Sequence, residues 1–272
     1  MGGLIMMLAD WRDAPRAGGL AMAFRAMAYW LVRYRRTWRG TIVVSVANPI
    51  LFLLAIGAGL GTLVEGPVEG ASYLAFFAPG LLAAAALQNA FVEAGFVVNS
   101  ALRRERIYST AAATPLEPGH IFAGHLIFIT LRLFLSAAAF VMAMALFGLI
   151  ENIAIALAVT LAATLTGLAF ATPLAAWAVT VADFPQLNTV FRFVVMPMYL
   201  FSGTFFSVTQ LPAPLRAIAY ALPLWHGVDL SRTLALGTAT LGTSLLHIGY
   251  LTALCAIGAM IARITYRRCL HE

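Results

Sequence analysis

The sequence predicts an all-α polytopic membrane protein with six transmembrane helices, an N-terminal interfacial amphipathic helix and a re-entrant outer hairpin before the last span. Three observations carry this. Of 272 residues, 62% are hydrophobic and 10% are charged, against about 25% charged in soluble domains. So few ionic side chains cannot clothe a soluble surface, and most of the exterior faces hydrocarbon. Apolar runs long enough to cross a hydrocarbon core of about 30 Å recur along the chain. The basic residues, finally, collect at the ends of those runs.

Residues 1–40 form a cytoplasmic N-terminal region and 41–272 the six-helix transmembrane domain. Met1 to Ala9 are apolar but short, lack a basic flank and run into Asp10, so no cleaved signal peptide is expected. Met6 stands where a myristoylation pattern wants Ser or Thr. Leu20, Phe24, Met27, Leu31, Tyr34 and Trp38 recur at spacings of 4, 3, 4, 3 and 4, which places them on one helical stripe. Arg25, Arg33, Arg36 and Arg39 lie opposite. Such a helix sits in the cytoplasmic interface, aromatics among acyl chains and arginines against anionic headgroups. Docking on a partner is the alternative.

The spans fall at about 41–62, 73–98, 121–148, 153–182, 193–209 and 241–262. A tight turn around Glu151 and Asn152 makes the third and fourth an antiparallel pair. Every basic residue is Arg. With a cytoplasmic N-terminus, fourteen of the 17 fall in cytoplasmic segments, leaving Arg216 and Arg232 outside and Arg132 within the third span. This bias places both termini in the cytoplasm of a multi-pass protein of the cell (inner or plasma) membrane.

Between the second and third spans, residues 102–120 carry Arg103, Arg104, Glu105, Arg106 and Tyr108, then Pro115 and Pro118. A short charged helix held between two spans can pass on a partner's motion; a simple positive-inside anchor is the alternative. Between the fifth and sixth spans, Phe205 and Phe206 lead to Leu211-Pro212-Ala213-Pro214 and then to Pro223-Leu224-Trp225-His226. Proline-broken backbone at membrane depth is tolerated only under cover of protein or water, which suits a hairpin dipping into the outer leaflet.

Within the spans, Glu93 and Arg132 are the most deeply placed charges, and intramembrane ionisable residues are functional candidates. Their depths differ by roughly 7 Å at 1.5 Å per residue, which a long Arg side chain can bridge. They form either an interhelical ion pair or separate snorkelling groups. Gln88, Asn89, His125 and His247 read as interhelical hydrogen-bond formers, with substrate contact the alternative. His120 and His125 are five apart and do not share the face that a helical metal pair needs, so no metal site is expected. Cys255 and Cys269 read as free thiols. The absence of Lys excludes a Walker A loop and a Schiff base, so any ATP used must be bound by another chain. The net charge of +6 is orientation chemistry, not a nucleic-acid footprint. No nucleophile, base and oxyanion set can be assembled, so an enzyme is not expected.

The C-terminal third is more specific. M-P-M-Y-L-F-S-G-T-F-F at 196–206, Leu211-Pro212, Pro223-Leu224-Trp225-His226 and Arg232 resemble the signature of ABC-2 type transporter permeases, with Phe201 and Thr204 as mild departures. Upstream, N-P-I-L-F-L-L-A-I-G-A-G-L-G at 48–61, Y-L-A-F-F-A-P-G-L-L at 73–82 and R-I-Y-S-T-A-A-A-T-P-L at 106–116 look like the branch containing nodulation protein J.

The resemblance implies a permease that pairs with a second copy, as a homodimer, and with two ABC ATP-binding subunits that hold ATP and Mg. This chain would itself carry no cofactor. It further implies that 102–116, with Arg103, Arg104, Glu105, Arg106 and Tyr108, is the coupling helix. The hairpin at about 203–230, with Phe205, Phe206, Pro212, Pro223 and His226, and Arg232 beyond it, would be the outer gate. The N-terminal amphipathic helix would be the connecting helix. An amphipathic cargo such as a lipid-linked oligosaccharide, glycolipid or hydrophobic drug would pass along the first, second and fifth spans. There Asn48-Pro49 and Pro79-Gly80 permit kinks and Met196 and Met198 offer adaptable apolar surface; lipid contact or helix packing is the alternative for these residues. An ATP-independent secondary transporter or channel would instead show ionisable residues converging at the midplane and often an internal repeat.

Overall fold

The computed structural model describes residues 18–59, 66, 68 and 70–271, without the side chains of 37, 39–46, 48, 49, 57, 58 and 271. Among these residues the fold is helical. Helix α1, Gly19–Ala58, is a single helix of 40 residues. The amphipathic helix and the first span, expected as separate pieces, thus share one helix through residue 40, and the expected end of that span at 60–62 lies outside the described residues. Helix α1 packs along α4 (Pro118–Leu146).

Small residues explain which face α1 buries. A Cβ on Gly124 of α4 would come within 2.5 Å of the Ala23 carbonyl oxygen and 2.6 Å of the Ala26 Cβ. Gly and Ala let the two backbones close up, so Ala23, Ala26 and Trp30 turn inward. The aromatic stripe is divided as a result: Leu20, Phe24 and Trp38 stay exposed while Met27, Leu31 and Tyr34 are half-buried.

Helix α2 runs Tyr73–Arg103, through a π segment at Val92–Val97. The Ser72 hydroxyl caps its start, accepting from the Ala75 N–H at 3.3 Å. The short α3, Ile107–Ala112, follows. A reciprocal cap between Glu117 and His120 opens α4. Asn152 caps α5, Ile153–Ala178, by accepting from the Ile155 N–H at 2.9 Å. The turn between α4 and α5 is the expected one, with Gly148 at φ 71°, and the two helices pack as neighbours.

The expected fifth span is displaced. Its helix, α6, comprises Phe184–Val190, a π segment Phe191–Val195 and Met196–Phe201. Gln186, Asn188 and Arg192 dilute its apolar character, and residues 202–207 are not helical. A 3-10 turn at Val208–Gln210 leads to α7, Ala213–Ala221, and α8, Pro223–Ala235. The last helix, α9, Leu241–His271, packs along α5. A Cβ on Gly258 would lie 2.5 Å from Pro173, and the Thr172 hydroxyl donates across the contact to the Cys255 carbonyl at 3.0 Å.

Among the described residues four helices are long and apolar enough to cross a membrane: Tyr73–Arg103, Pro118–Leu146, Ile153–Ala178 and Leu241–Leu270. Helix α2 is central, packed by α4, α5 and α8. The exterior is apolar, with Leu245, Ile257 and Met260 of α9 and Phe193 of α6 exposed, as hydrocarbon contact requires. One core cluster, around Val98, Tyr108, Phe128 and Tyr266, lies at the loop end of the bundle; another, around Leu53, Phe77, Phe140 and Met144, lies toward the opposite, hairpin end.

The α1–α4 contact gives a direct test. Gly124→Ala is expected to lower thermal stability in micelles by about 1–3 kcal/mol through overpacking against backbone. Gly119→Ala, where a Cβ meets nothing within 4 Å, is expected to leave it unchanged or slightly raised.

Candidate functional site

Where α2 ends, Arg103, Arg104, Glu105 and Arg106 are consecutively exposed. The chain then reverses at Arg106, whose φ of 52° is left-handed and unusual for a side chain with a Cβ. This reversal turns the next helix so that Tyr108 is buried. The charged quartet is fastened at its base. Glu105 pairs with Arg33 of α1, with Nη2 to Oε1 at 3.1 Å, and accepts from the Ser100 hydroxyl at 3.0 Å. The Arg33 hydrogen bonds hold the Glu105 carboxyl below the usual carboxylate range. Arg103 donates to the Val179 carbonyl at 3.4 Å, and the Arg104 guanidinium sits 5.8 Å from the centre of the Phe184 ring.

Tyr108 joins three further helices. Its hydroxyl bonds to His125 Nδ1 of α4 and receives the Tyr266 hydroxyl of α9 at 3.4 Å. The His125 ring stacks on Trp30 of α1, centroids 3.8 Å apart and planes 5° from parallel. Burial raises the Tyr108 pKa well above its ordinary value, so the phenol stays protonated and keeps its hydrogen bond with His125 Nδ1. A displacement of α3 therefore bears on α1, α4 and α9 at once.

Farther into the bundle, Glu93 and Arg132 face each other, Oε1 to Nη1 at 3.0 Å. Glu93 sits in the π segment of α2, and such one-residue insertions re-aim side chains. The Arg132 guanidinium lies 5.0 Å from the centre of the Tyr34 ring, so the pair also touches α1. Asn89 donates to the Ser136 hydroxyl at 2.8 Å, whereas Gln88 is exposed.

At the hairpin end, Arg232 of α8 organises the non-helical stretch. It donates to the Phe76 carbonyl at 3.0 Å and the Gly203 carbonyl at 2.7 Å, with its guanidinium 3.7 Å from the centre of the Phe76 ring. Gly80 makes room: a Cβ there would lie 3.0 Å from both Arg232 Nη2 and the Thr204 carbonyl oxygen. Phe205 packs on Phe77 and Tyr199, and its carbonyl accepts from the Tyr73 hydroxyl at 3.2 Å. Phe206 is half-buried, Pro212 exposed and Pro223 half-buried at the start of α8. His226 is buried, and its Nδ1 lies 2.8 Å from His247 Nδ1.

Of the pathway candidates, the two methionines are differently placed in the single chain. Met198 is buried in a cluster with Leu87, Phe91, Leu224 and Val228, and Met196 is half-buried. The exposed face of α6 is instead Phe193, Val194, Leu200 and Phe201. The side chains of Asn48 and Pro49 lie outside the described residues. Sequence reasoning took His125 and His247 as hydrogen-bond formers but could not name Tyr108, His226 and Asp229 as their partners. It missed Tyr266 and Trp30 altogether, because these contacts join residues far apart in sequence and no local spacing signals them.

The chain matches known proteins over most of its length. Residues 23–236 match the family model of the ABC-2 type transporter. Nodulation protein J of Rhizobium leguminosarum bv. viciae is 30% identical over 246 residues, 88% of this chain and 94% of that protein. Nodulation protein J of Bradyrhizobium diazoefficiens is 31% identical over 259 residues, 92% of this chain and 97% of that one. The inner membrane transport permease YadH of Escherichia coli (strain K12) is 26% identical over 197 residues, 72% of each chain.

Two expectations follow from the charge pairs. Glu93→Ala strands Arg132 and should cost about 3 kcal/mol or more of thermal stability, while Glu93→Leu with Arg132→Leu should recover most of it. The Glu105–Arg33 tie behaves differently, because both side chains are over a third exposed and it contributes no more than about 1 kcal/mol. Since the Glu105 pKa is lowered in the folded state, the tie is fully present at neutral pH and is lost as pH falls through that lowered value. Amide exchange of residues 103–112, corrected for intrinsic rate, should therefore rise only at acid pH, and Arg33→Gln should show the raised exchange already at neutral pH.

Proposed function

Because the chain belongs to the ABC-2 type transporter family, we propose that it is the permease subunit of an ATP-binding cassette exporter that moves an amphipathic cargo outward. The family is a membrane transport component, not itself catalytic, and works with a separate ATP-binding subunit. In this proposal two copies of the chain assemble with two such subunits, which bind ATP and Mg. Each copy crosses the inner membrane six times with both termini in the cytoplasm. The two spans beyond the four apolar helices are the second half of α1 and the helix α6.

The observation that supports this best is the combination at the loop end. An exposed Arg103, Arg104, Glu105 and Arg106 offers charge to a partner, and the buried Tyr108 just behind it is fixed to α1, α4 and α9. An anchor that merely satisfied the positive-inside bias would not need a phenol threaded between three helices. Nucleotide-driven closure of the partner subunits would press on the quartet and move those helices together. At the other end, the Arg232 clamp on the turn at Gly203 would hold the hairpin as an outer gate until the helices shift. In this proposal the cargo is a lipid-linked oligosaccharide, a glycolipid or a hydrophobic drug.

The reading is tested in proteoliposomes holding the permease and its ATP-binding partner, with efflux of fluorescent glycolipid and drug probes measured alongside phosphate release. ATP-dependent efflux is expected. Arg103→Ala, Arg104→Ala and Arg106→Ala together should abolish it and weaken copurification of the partner. Tyr108→Phe should leave copurification intact and lower probe moved per ATP about tenfold, the size expected for losing one buried hydrogen bond of about 1.4 kcal/mol. Efflux at an unchanged rate without partner or ATP would overturn the proposal in favour of an ATP-independent transporter or channel.

A further inference from the structure

Two imidazoles from different helices meet at the hairpin end. His226 lies in the first turn of α8 and His247 in α9; both are buried, and their Nδ1 atoms are 2.8 Å apart. His247 turns its other nitrogen, Nε2, to Asp229 Oδ2 at 2.9 Å. Asp229, with its side chain 33% exposed, opens this chain of bonds to the surface.

The proton count is constrained. A nitrogen-to-nitrogen hydrogen bond holds one proton: one imidazole donates and the other presents a lone pair. Ionised Asp229 only accepts, so His247 carries a hydrogen on Nε2. Neutral His247 then has a bare Nδ1, and His226 donates to it from its own Nδ1. One added proton fits without moving any heavy atom. It enters at His226 Nε2, and the His226 Nδ1 proton passes to His247. His247 is then an imidazolium donating to Asp229 on one side and to His226 on the other. A second added proton does not fit, because both Nδ1 atoms would carry hydrogens and two like charges would face each other.

The charged surroundings of the two rings differ. His226 stands at the positive N-terminal end of α8, which opposes a cation there, whereas His247 has the Asp229 carboxylate. At this end of the bundle the other titratable groups on the packed elements are Arg232 on α8, Tyr250 on α9, Arg216 and Tyr220 on α7, and Tyr73 on α2; Cys255, Arg263 and Tyr266 of α9 and Glu93 and Arg103 of α2 lie farther along toward the loop end, and α5 carries none. Arg232 is engaged with the Phe76 and Gly203 carbonyls. Tyr250 stacks on His226 with centroids 3.9 Å apart and donates its hydroxyl to the Ala221 carbonyl at 2.8 Å. Trp225 stands edge-on to both imidazoles, at 4.9 and 5.2 Å.

We propose that Asp229, His247 and His226 form a proton-binding relay that latches the hairpin helix α8 to α9, engaged with no or one added proton and released by the second. The relay rests on this geometry and not on the transport reading.

Trp225 is a built-in reporter. The full chain, labelled with 5-fluorotryptophan and held in micelles, is followed by fluorine NMR from about pH 8 down to about pH 4, the range in which paired histidines titrate. Trp225→Phe assigns the resonance. Two titration steps are expected in the Trp225 signal. Amide exchange of residues 213–235, corrected for intrinsic rate, should rise about tenfold across the second step alone, equivalent to about 1.4 kcal/mol of lost latching. His247→Gln should leave one step. Asp229→Asn keeps an acceptor but removes the charge, and should lower the first midpoint by about one pH unit or more. A Trp225 resonance indifferent to pH, or midpoints unchanged in Asp229→Asn, would overturn the relay. If His247→Gln fails to fold, the isosteric and partly exposed Asp229→Asn decides alone.

Discussion

Hydrocarbon offers no hydrogen bonds, so every polar group carried into the membrane must be satisfied within the protein. That single requirement shapes this molecule. It makes the described chain helical, and it disposes of the threonines: the hydroxyls of Thr130, Thr160, Thr164 and Thr166 each donate to the carbonyl four residues back, at 2.8 Å. It also makes the remaining polar side chains into cross-links. Asn99 donates to the Ala178 and Val181 carbonyls at the end of α5, and Thr172 to the Cys255 carbonyl of α9. Residues that could not be left unpaired in oil thus become the joints that fix helix to helix.

The candidate sites stand where helical regularity fails. The π segment around Glu93, the left-handed backbone of Arg106 and the turn at Gly203 each free backbone groups or redirect a side chain, and each has a compensating partner close by. Glu93 meets Arg132, the loop after Arg106 is tied down through Tyr108, and the Gly203 carbonyl receives Arg232. The two ends differ in character. At the loop end the compensation is aromatic and dense, a packed set of Trp30, His125, Tyr108 and Tyr266. At the hairpin end the hydroxyls of Ser202, Thr204 and Ser231 are buried without a protein hydrogen-bond partner, as are His125 Nε2 and Asn99 Oδ1 toward the loop end.

What the sequence revealed follows the reach of each signal. Apolar runs located α2, α4, α5 and α9, since crossing a bilayer is a property of about twenty consecutive residues. Depth counting brought Glu93 and Arg132 within reach of each other because a helix rises uniformly. Charge clustering and proline marked the loop after α2 and the broken stretch after α6. The limits were physical as well. Periodicity proposed the large residues of α1 as its packing stripe, but Ala23 and Ala26 closing on Gly124 decided which face turned in, and smallness has no periodic signature. The π segments were invisible for the same reason. Tyr266 and Trp30 were missed because they act through partners distant in sequence.

The unbroken α1 has a mechanical consequence. At 1.5 Å per residue its 40 residues extend about 60 Å, roughly twice the hydrocarbon thickness. Gly124 and Trp30 hold it near one end, Arg33 receives Glu105 just beyond, and Leu53 near the other end shares a core with Phe77 and Phe140. In the proposed transporter such a rod would act as a lever about the Ala23–Gly124 crossing. A tilt applied at Glu105 would grow with distance along the arm as far as Asn48-Pro49, where proline permits a bend.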